Sequence, residues 1–311
     1  MKKVSFVIPC YKSELTLPKV VEEIETTMAL MKDRYEYELI LVNDSSPDGT
    51  FGVIEELAGT RDNVTGIDLS KNFGQHAALM AGFHYVTGDI LVCLDDDGQT
   101  PACEVGRLLD KLEEGEDVVY ARYQHKKHSA FRNFGSFVNE KMTQILLGKP
   151  KELYVSSYFA ARRYIVDEML KYDKAYPYVI GLVLRSTKRI VNVDVNHRER
   201  EVGRSGYNLG KLLALWMNGF TAFSVKPLRI ATAIGTGCAV AGFIYGIYTV
   251  IKKLVRGAEV AVGFSALMAW IMFLGGMILL MLGLLGEYLG RMYVSFNDAP
   301  QYVIRDVVGK E

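Results

Sequence analysis

Three aspartates stand in a row at Asp95-Asp96-Asp97, directly after the apolar run 90–94 and just ahead of Gly98-Gln99. Adjacent carboxylates repel, and each raises the others' pKa unless a cation or open solvent offsets the charge. A hard divalent ion, Mg2+ or Mn2+, is the economical partner, because such ions take oxygen ligands and combine one or two carboxylates with substrate phosphates. In an extended chain Asp95 and Asp97 point one way and Asp96 the other. That Asp-x-Asp pair could hold a metal bridging the two phosphates of a nucleoside diphosphate. An acidic turn ahead of a helix start at Thr100-Pro101 accounts for the same residues without a metal. A second acidic point, Asn43-Asp44, follows the run 39–42. The spacing Asp44-x-Ser46-x-Asp48-Gly49 with Glu55 imitates a calcium loop, but such a loop is entered from a helix and this one follows a strand signal. Neither of the glycine-rich phosphate-loop patterns occurs.

The elements that must position these carboxylates alternate regularly. Short apolar runs at 4–9, 38–42, 64–69, 90–94 and 118–121 read as strands, and amphipathic stretches at 17–31, 51–58, 75–86 and 104–113 read as helices. This alternation predicts an α/β fold with a mostly parallel sheet covered on both faces. Ligands in such sheets bind outside the carboxyl ends of the strands, which is where Asp44 and Asp95–Asp97 fall.

Half of the 311 residues are hydrophobic, and 36 basic residues balance 36 acidic ones. A net charge of zero leaves no basic field for nucleic acid. Cys10, Cys93, Cys103 and Cys238 are scattered without a Cys-x-x-Cys pair, which fits a reducing, cytosol-facing location better than a disulfide framework. The apolar run after Met1 stops at Pro9-Cys10, too short for a signal peptide, so Met1 reads as the mature start. The surplus hydrophobicity is concentrated at 230–251 and 260–286, two stretches without charge and long enough to span a bilayer. The short connection between them makes a hairpin. Lys211, Lys226 and Arg229 before it, and Arg291 and Arg305 after it, outnumber Lys252, Lys253 and Arg256 in the loop, which places both termini on the cytoplasmic side of the plasma (inner) membrane. Leu212, Leu215, Trp216, Phe220 and Phe223 recur near helical spacing and predict an interfacial helix. The expected division is a cytosolic domain at 1–206, a juxtamembrane amphipathic helix at 207–227, the transmembrane hairpin at 228–290 and a cytosolic tail at 291–311.

Pro9-x-Tyr11 with Glu14, Val42-Asn43-Asp44-Ser45-Ser46-x-Asp48-Gly49-Thr50, Ser70-Lys71-Asn72-Phe73-Gly74-x-x-Ala77-Ala78-Leu79-x-Ala81-Gly82 and Asp95-x-Asp97-x-Gln99-x-Pro101 together resemble the inverting family 2 glycosyltransferases of GT-A fold. The later segment Arg198-Glu199-Arg200-Glu201-x-Gly203-x-Ser205-x-Tyr207, the hairpin and Gly286-Glu287-Tyr288-x-Gly290-Arg291-x-Tyr293 are similar to the polyprenyl-phosphate branch, which includes dolichol-phosphate mannose synthases. The resemblance implies a Rossmann-like GT-A sheet. It implies that Pro9, Tyr11, Glu14, Asp44 and Lys71 hold the nucleoside, that Asp95, Asp96 and Gln99 contact the nucleotide-sugar, and that Asp95, Asp97 and Gln99 hold the metal. Arg122, Arg198, Arg200 and Arg204 would meet phosphate groups, the last three those of the acceptor, and Asp95, Asp97 and Arg200 would carry catalysis. Where family members often carry an Asp/Ser-Phe-Arg-Leu segment, this chain has Ser156-Ser157-Tyr158-Phe159-Ala160-Ala161-Arg162-Arg163, and no catalytic aspartate is assigned there.

The activity implied is metal-dependent hexosyl transfer from a nucleotide-sugar, a UDP-sugar by preference, to undecaprenyl phosphate, giving a lipid-linked monosaccharide for cell-envelope glycan modification. The lipid bilayer is an implied partner, as is a second copy of the chain in a homo-oligomer. A processive polysaccharide synthase shares the sheet and aspartates but carries a Gln-x-x-Arg-Trp motif that neither Trp216 nor Trp270 completes. A non-catalytic membrane scaffold with a decayed site is the third reading. His76 and His84 are read as structural.

Overall fold

The computed structural model describes residues 1–123, 144, 148–196, 226–256, 264–296 and 299–309. The chain divides into two compact units, Met1–Trp216 with Asp298–Glu311, and Met217–Asn297.

In the first unit the alternation seen in the sequence becomes β1 (Lys2–Cys10), α1 (Leu17–Ala29), β2 (Tyr35–Asn43), α2 (Thr50–Thr60), β3 (Val64–Leu69), α3 (Gln75–Phe83), β4 (Ile90–Cys93), α4 (Val105–Glu113) and β5 (Val118–Tyr123). The chain goes on through β6 (Phe159–Arg162), α5 (Arg163–Leu170), α6 (Val179–Ser186) and β7 (Ile190–Val195). With β8 (Ile304–Val308), one eight-stranded sheet results, in the order β7-β5-β6-β4-β1-β2-β3-β8. Strands β1, β2, β3 and β4 are mutually parallel, and β6 runs antiparallel between β4 and β5. The fold is thus the mostly parallel α/β sheet expected. β1 is buried from Val4 to Cys10, which is why it reads as a continuous apolar run and not an alternating one.

Helix α1 turns Leu17, Val20, Val21, Ile24 and Met28 toward the sheet, at spacings that keep one face buried. Pro18 sits in its first turn, where no backbone N–H is needed. Helix α3 lies against β1 and β2 closely enough that a Cβ on Gly82 would come within 2.5 Å of Val7 Cγ1. The small residues of the Ala77-Ala78 and Ala81-Gly82 pairs are what permit that approach.

The eighth strand, β8 (Ile304–Val308), pairs antiparallel with β3, with a register shift at Asp68/Leu69. Residues 291–311, expected as a tail, therefore contain a helix end and an edge strand. The charges of Arg305 and Asp306 hide it in the sequence, and charge is a normal feature of edge strands. Gly66 on β3 leaves the room: a Cβ there would lie 2.7 Å from Val308 Cγ2 and 2.4 Å from Ile54 Cγ2.

The second unit holds two long helices, α7 (Lys226–Arg256) and α8 (Phe264–Phe296). Within α8, Phe273–Gly290 is long and apolar enough to cross a membrane, and none of it is buried. In α7 the apolar stretch among the described residues is Ala231–Gly242, inside the 230–251 expected. Exposed Ile244, Trp270, Ile271, Leu279 and Leu282 give the pair an apolar exterior. The amphipathic helix expected at 207–227 lies outside the described residues, apart from Lys226 and Pro227.

Candidate active site

The strand order reverses direction at β1, with β2 on one side and β4 on the other. A crevice opens at such a switch point beyond the carboxyl ends. The loops after β1, β2, β3 and β4 meet there.

Asp44, at the end of β2, is 4% exposed. Its Oδ1 accepts from the Phe73 amide at 2.7 Å and its Oδ2 from the Gly74 amide at 2.9 Å. Asn72 Nδ2 donates to the Asp44 carbonyl at 3.2 Å. Burial raises the Asp44 pKa, against the two amides, which lower it. The carboxylate thus closes the loop after β3. Lys71, on that loop, is exposed and lies 4.9 Å from the Phe73 ring. Asn43, beside Asp44, donates to Asp68 Oδ1 at 2.7 Å and accepts from the Ser46 amide at 3.1 Å.

The loop after β1 carries Tyr11, 46% exposed, and Lys12 at φ +59°. Ser45, at φ +51°, mirrors it on the β2 loop. Two non-glycine residues in left-handed conformation are held by cross-loop bonds, the Lys12 amide donating to Ser46 Oγ at 3.0 Å and the Ser13 amide to Thr50 Oγ1 at 3.0 Å. Glu14 accepts from the Gly49 amide at 3.0 Å, so tightly that a Cβ at Gly49 would strike its carboxylate at 2.8 Å. Pro9 pairs with Val42 inside the sheet, one position before Cys10.

β4 ends at Cys93, so Asp95, Asp96 and Asp97 lie on the loop beyond it and strand alternation does not by itself set their directions. They diverge nonetheless. Asp96 Oδ2 accepts from the Tyr11 amide at 2.9 Å, stitching β4 to β1. Asp95 Oδ1 accepts from Gln75 Nε2 at 2.9 Å, and its Oδ2 accepts from the Ser157 hydroxyl. Asp97 Oδ1 accepts from the Gln99 amide at 3.0 Å across Gly98, whose φ of +73° makes the turn. Burial pushes the Asp95 carboxyl up to about 6, and the neighbouring Asp97 and Asp96 charges add to the rise while Ser157 and Gln75 oppose it. Asp96 is raised too, again chiefly by burial. Among the described residues no three His, Cys, Asp or Glu side chains converge as a complete metal cage. The neighbouring carboxylates of Asp95 and Asp97 suit instead a hard cation whose remaining ligands come from a bound diphosphate or water.

Arg122, expected to meet phosphate, is at the end of β5 and pairs with Asp194 of β7 at 2.5 Å. Arg198, Arg200 and Arg204 lie outside the described residues. Sequence reading missed Gln75, Ser157, Asp68 and Arg305. Gln75 and Ser157 fall inside segments already singled out, but neither residue type marks itself as a carboxylate holder. Burial holds His76 neutral, its pKa lowered to about 4, and its ring meets Tyr178 edge-on at 5.0 Å, in keeping with a structural role.

The sheet places its acidic residues at the switch point, where a ligand of an α/β fold binds. Residues 5–170 match the glycosyl transferase family 2 model and residues 226–292 the GtrB C-terminal hairpin, and the chain belongs to glycosyl transferase family 2. It is 38% identical over 99% of its length, and 95% of the relative's, to an undecaprenyl-phosphate 4-deoxy-4-formamido-L-arabinose transferase of Proteus mirabilis. The protein of the same name from Yersinia enterocolitica is 37% identical over 100% of this chain and 95% of its own. Among solved structures, glucosyl-3-phosphoglycerate synthase of Mycobacterium tuberculosis with Mn2+, UDP-glucose and phosphoglyceric acid superposes with a TM-score of 0.51, at 20% identity over 68% of this chain and 74% of that one. That likeness shows the GT-A sheet.

Proposed function

We propose that the protein transfers 4-deoxy-4-formamido-L-arabinose, or a closely related amino-pentose, with inversion from a uridine nucleotide-sugar to undecaprenyl phosphate at the cytoplasmic face of the plasma membrane. The observation that carries this reading is identity of 38%, 37% and 36% over essentially the whole chain, hairpin included, to transferases named for that lipid phosphate and that sugar. The hexose expected from the sequence gives way to a pentose derivative. The product is a lipid-linked sugar unit for cell-envelope glycan modification.

The chemistry asks little proton transfer of the protein. A lipid phosphate, with a second pKa near about 6, is largely dianionic at neutral pH, so its oxygen attacks the anomeric carbon without a general base. The bond from that carbon to the nucleoside diphosphate breaks, and the electron pair leaves with the diphosphate. A divalent cation, Mg2+ or Mn2+, when bound at Asp95 and Asp97 beside Gln99, supplies charge neutralisation for the departing group. Gln75 and Ser157 hold Asp95 in place for that task, and Asp96 fixes the Tyr11 backbone. Pro9, Tyr11, Glu14, Asp44 and Lys71 frame the nucleoside. Arg198, Arg200 and Arg204, with Arg122, offset repulsion between the two anionic groups, for which a permanently charged, two-pronged guanidinium is suited. The hairpin brings this unit to the bilayer where the acceptor resides. The return of β8 to the sheet that β1 began supports entry and exit of the hairpin on one side of the membrane.

The test incubates detergent-solubilised protein and Mg2+ or Mn2+ with UDP-4-deoxy-4-formamido-L-arabinose or UDP-hexoses, with and without undecaprenyl phosphate, and follows UDP release and glycolipid mass. Lipid-dependent release with the formamido-arabinose donor is expected. Turnover of a hexose donor alone would overturn the sugar assignment, and no lipid-dependent turnover with any donor would favour the scaffold reading.

A further inference from the structure

We infer that Arg305, on the strand that follows the hairpin, is a positioning residue for the donor loops. This rests on the donor-site reading above. Arg305 sends its two terminal nitrogens to different loop anchors: one donates to Asp68 Oδ2 at 3.1 Å and the other to the Ser70 carbonyl at 2.8 Å. Asp68 is 3% exposed, and its second oxygen accepts from Asn43. Asn43 in turn accepts from the Ser46 amide and so sets the loop after β2. Ser70 opens the loop after β3, and its own amide donates to the Val303 carbonyl at 2.9 Å. Three and four residues further on, the Phe73 and Gly74 amides grip Asp44. A single guanidinium therefore ties both loops that frame the nucleoside to the last strand of the sheet.

The physical asymmetry lies in the partner. Arg305 is half exposed, but the Asp68 side chain is only 4% exposed. An exposed ion pair contributes little, whereas removing the cation here leaves a buried carboxylate with Asn43 as its neutral partner. The least costly response is for Asp68 to turn toward water, and that movement takes Asn43 and the start of the β2 loop with it. Donor binding then has to reorder both loops, and apparent affinity falls by the fraction of protein no longer in the competent arrangement. The lipid acceptor makes no use of this relay. Arginine is specific to the task because lysine retains the charge but cannot reach two anchors in a fixed fork.

The test compares Arg305→Gln, Arg305→Lys and Val308→Ala in the full-length protein. Val308→Ala loosens the packing of β8 without touching the clamp. Arg305→Gln is expected to raise the donor KM about tenfold, the scale of one charge-assisted hydrogen bond, with the undecaprenyl phosphate KM unchanged. Arg305→Lys should recover part of that loss. Val308→Ala should lower Tm at wild-type donor KM. Hydrogen exchange at the Phe73 and Gly74 amides gives a readout independent of turnover and should quicken in Arg305→Gln before it does in Val308→Ala. An unchanged donor KM together with unchanged exchange in Arg305→Gln would overturn the inference, as would equal effects from Val308→Ala at equal loss of Tm. If the wild-type protein turns over no nucleotide-sugar, the proposed function fails, and the exchange result alone decides the clamp.

Discussion

Two acidic loops stand at the carboxyl ends of β2 and β4, on either side of β1, and their carboxylates are held in opposite ways. Asp44 gives both oxygens to backbone amides of a neighbouring loop. Asp95 is held by two side chains, Gln75 and Ser157, and pressed by the charges of Asp96 and Asp97. Amide partners fix a loop and cannot step aside, because the backbone is what they support. Side-chain partners can rotate away when a better ligand arrives. The first arrangement builds the site and the second is ready to be used by it, although both read in the sequence as an aspartate after a strand.

The largest separation of the two roles is expected from Asp97→Ala. It should cut turnover by at least about a hundredfold, since it removes charge stabilisation at the leaving group. Stability should change by no more than about 1 kcal/mol, because the same change relieves like-charge repulsion. Nucleotide release and thermal unfolding on the same preparation measure both, and full turnover in EDTA would sink the metal assignment. Asp44→Ala should do the reverse in kind. Leaving the Phe73 and Gly74 amides without an acceptor costs about 2 kcal/mol, seen as a lower Tm and a higher donor KM. If Asp44→Ala melts like wild type, the contrast between the loops collapses. The smallest effect is assigned to Arg122→Gln. Its pair with Asp194 is exposed, with side chains 48% and 35% accessible, so stability should move by less than about 0.5 kcal/mol. Any larger loss of turnover then reports a ligand phosphate, and its absence removes Arg122 from that role.

The sequence disclosed the parallel half of the sheet because buried parallel strands are continuous apolar runs and their helices carry a 3.6-residue period. It disclosed Asp95–Asp97 because three adjacent carboxylates are costly without a purpose. β6 escaped notice, since Phe159-Ala160-Ala161-Arg162 is too short for a period to appear. β8 escaped because Arg305 and Asp306 interrupt its apolar residues, so it reads as a solvated tail. Ser157 and Gln75 could not be singled out as holders of Asp95, because the contact spans 62 residues for one and 20 for the other and neither side chain is rare. Asp68 is recognisable only once Arg305 is seen beside it.

The return of β8 also sets an order of events during synthesis. The bond from Arg305 to Asp68 closes across 237 residues, the full hairpin lying between. Strands β1 to β7 leave the ribosome first and can pair, but β3 keeps an open edge until nearly the whole chain has been made. By then α7 and α8 have already been translated. Domains assemble from the N-terminal side as they emerge, and contacts this far apart in sequence form last. The nascent chain therefore carries the loops after β2 and β3 without their tie to the last strand until both helices of the hairpin have been made. A chain broken off anywhere before residue 304 is expected to lack the strand that closes β3 and the arginine that ties the loops after β2 and β3 to it.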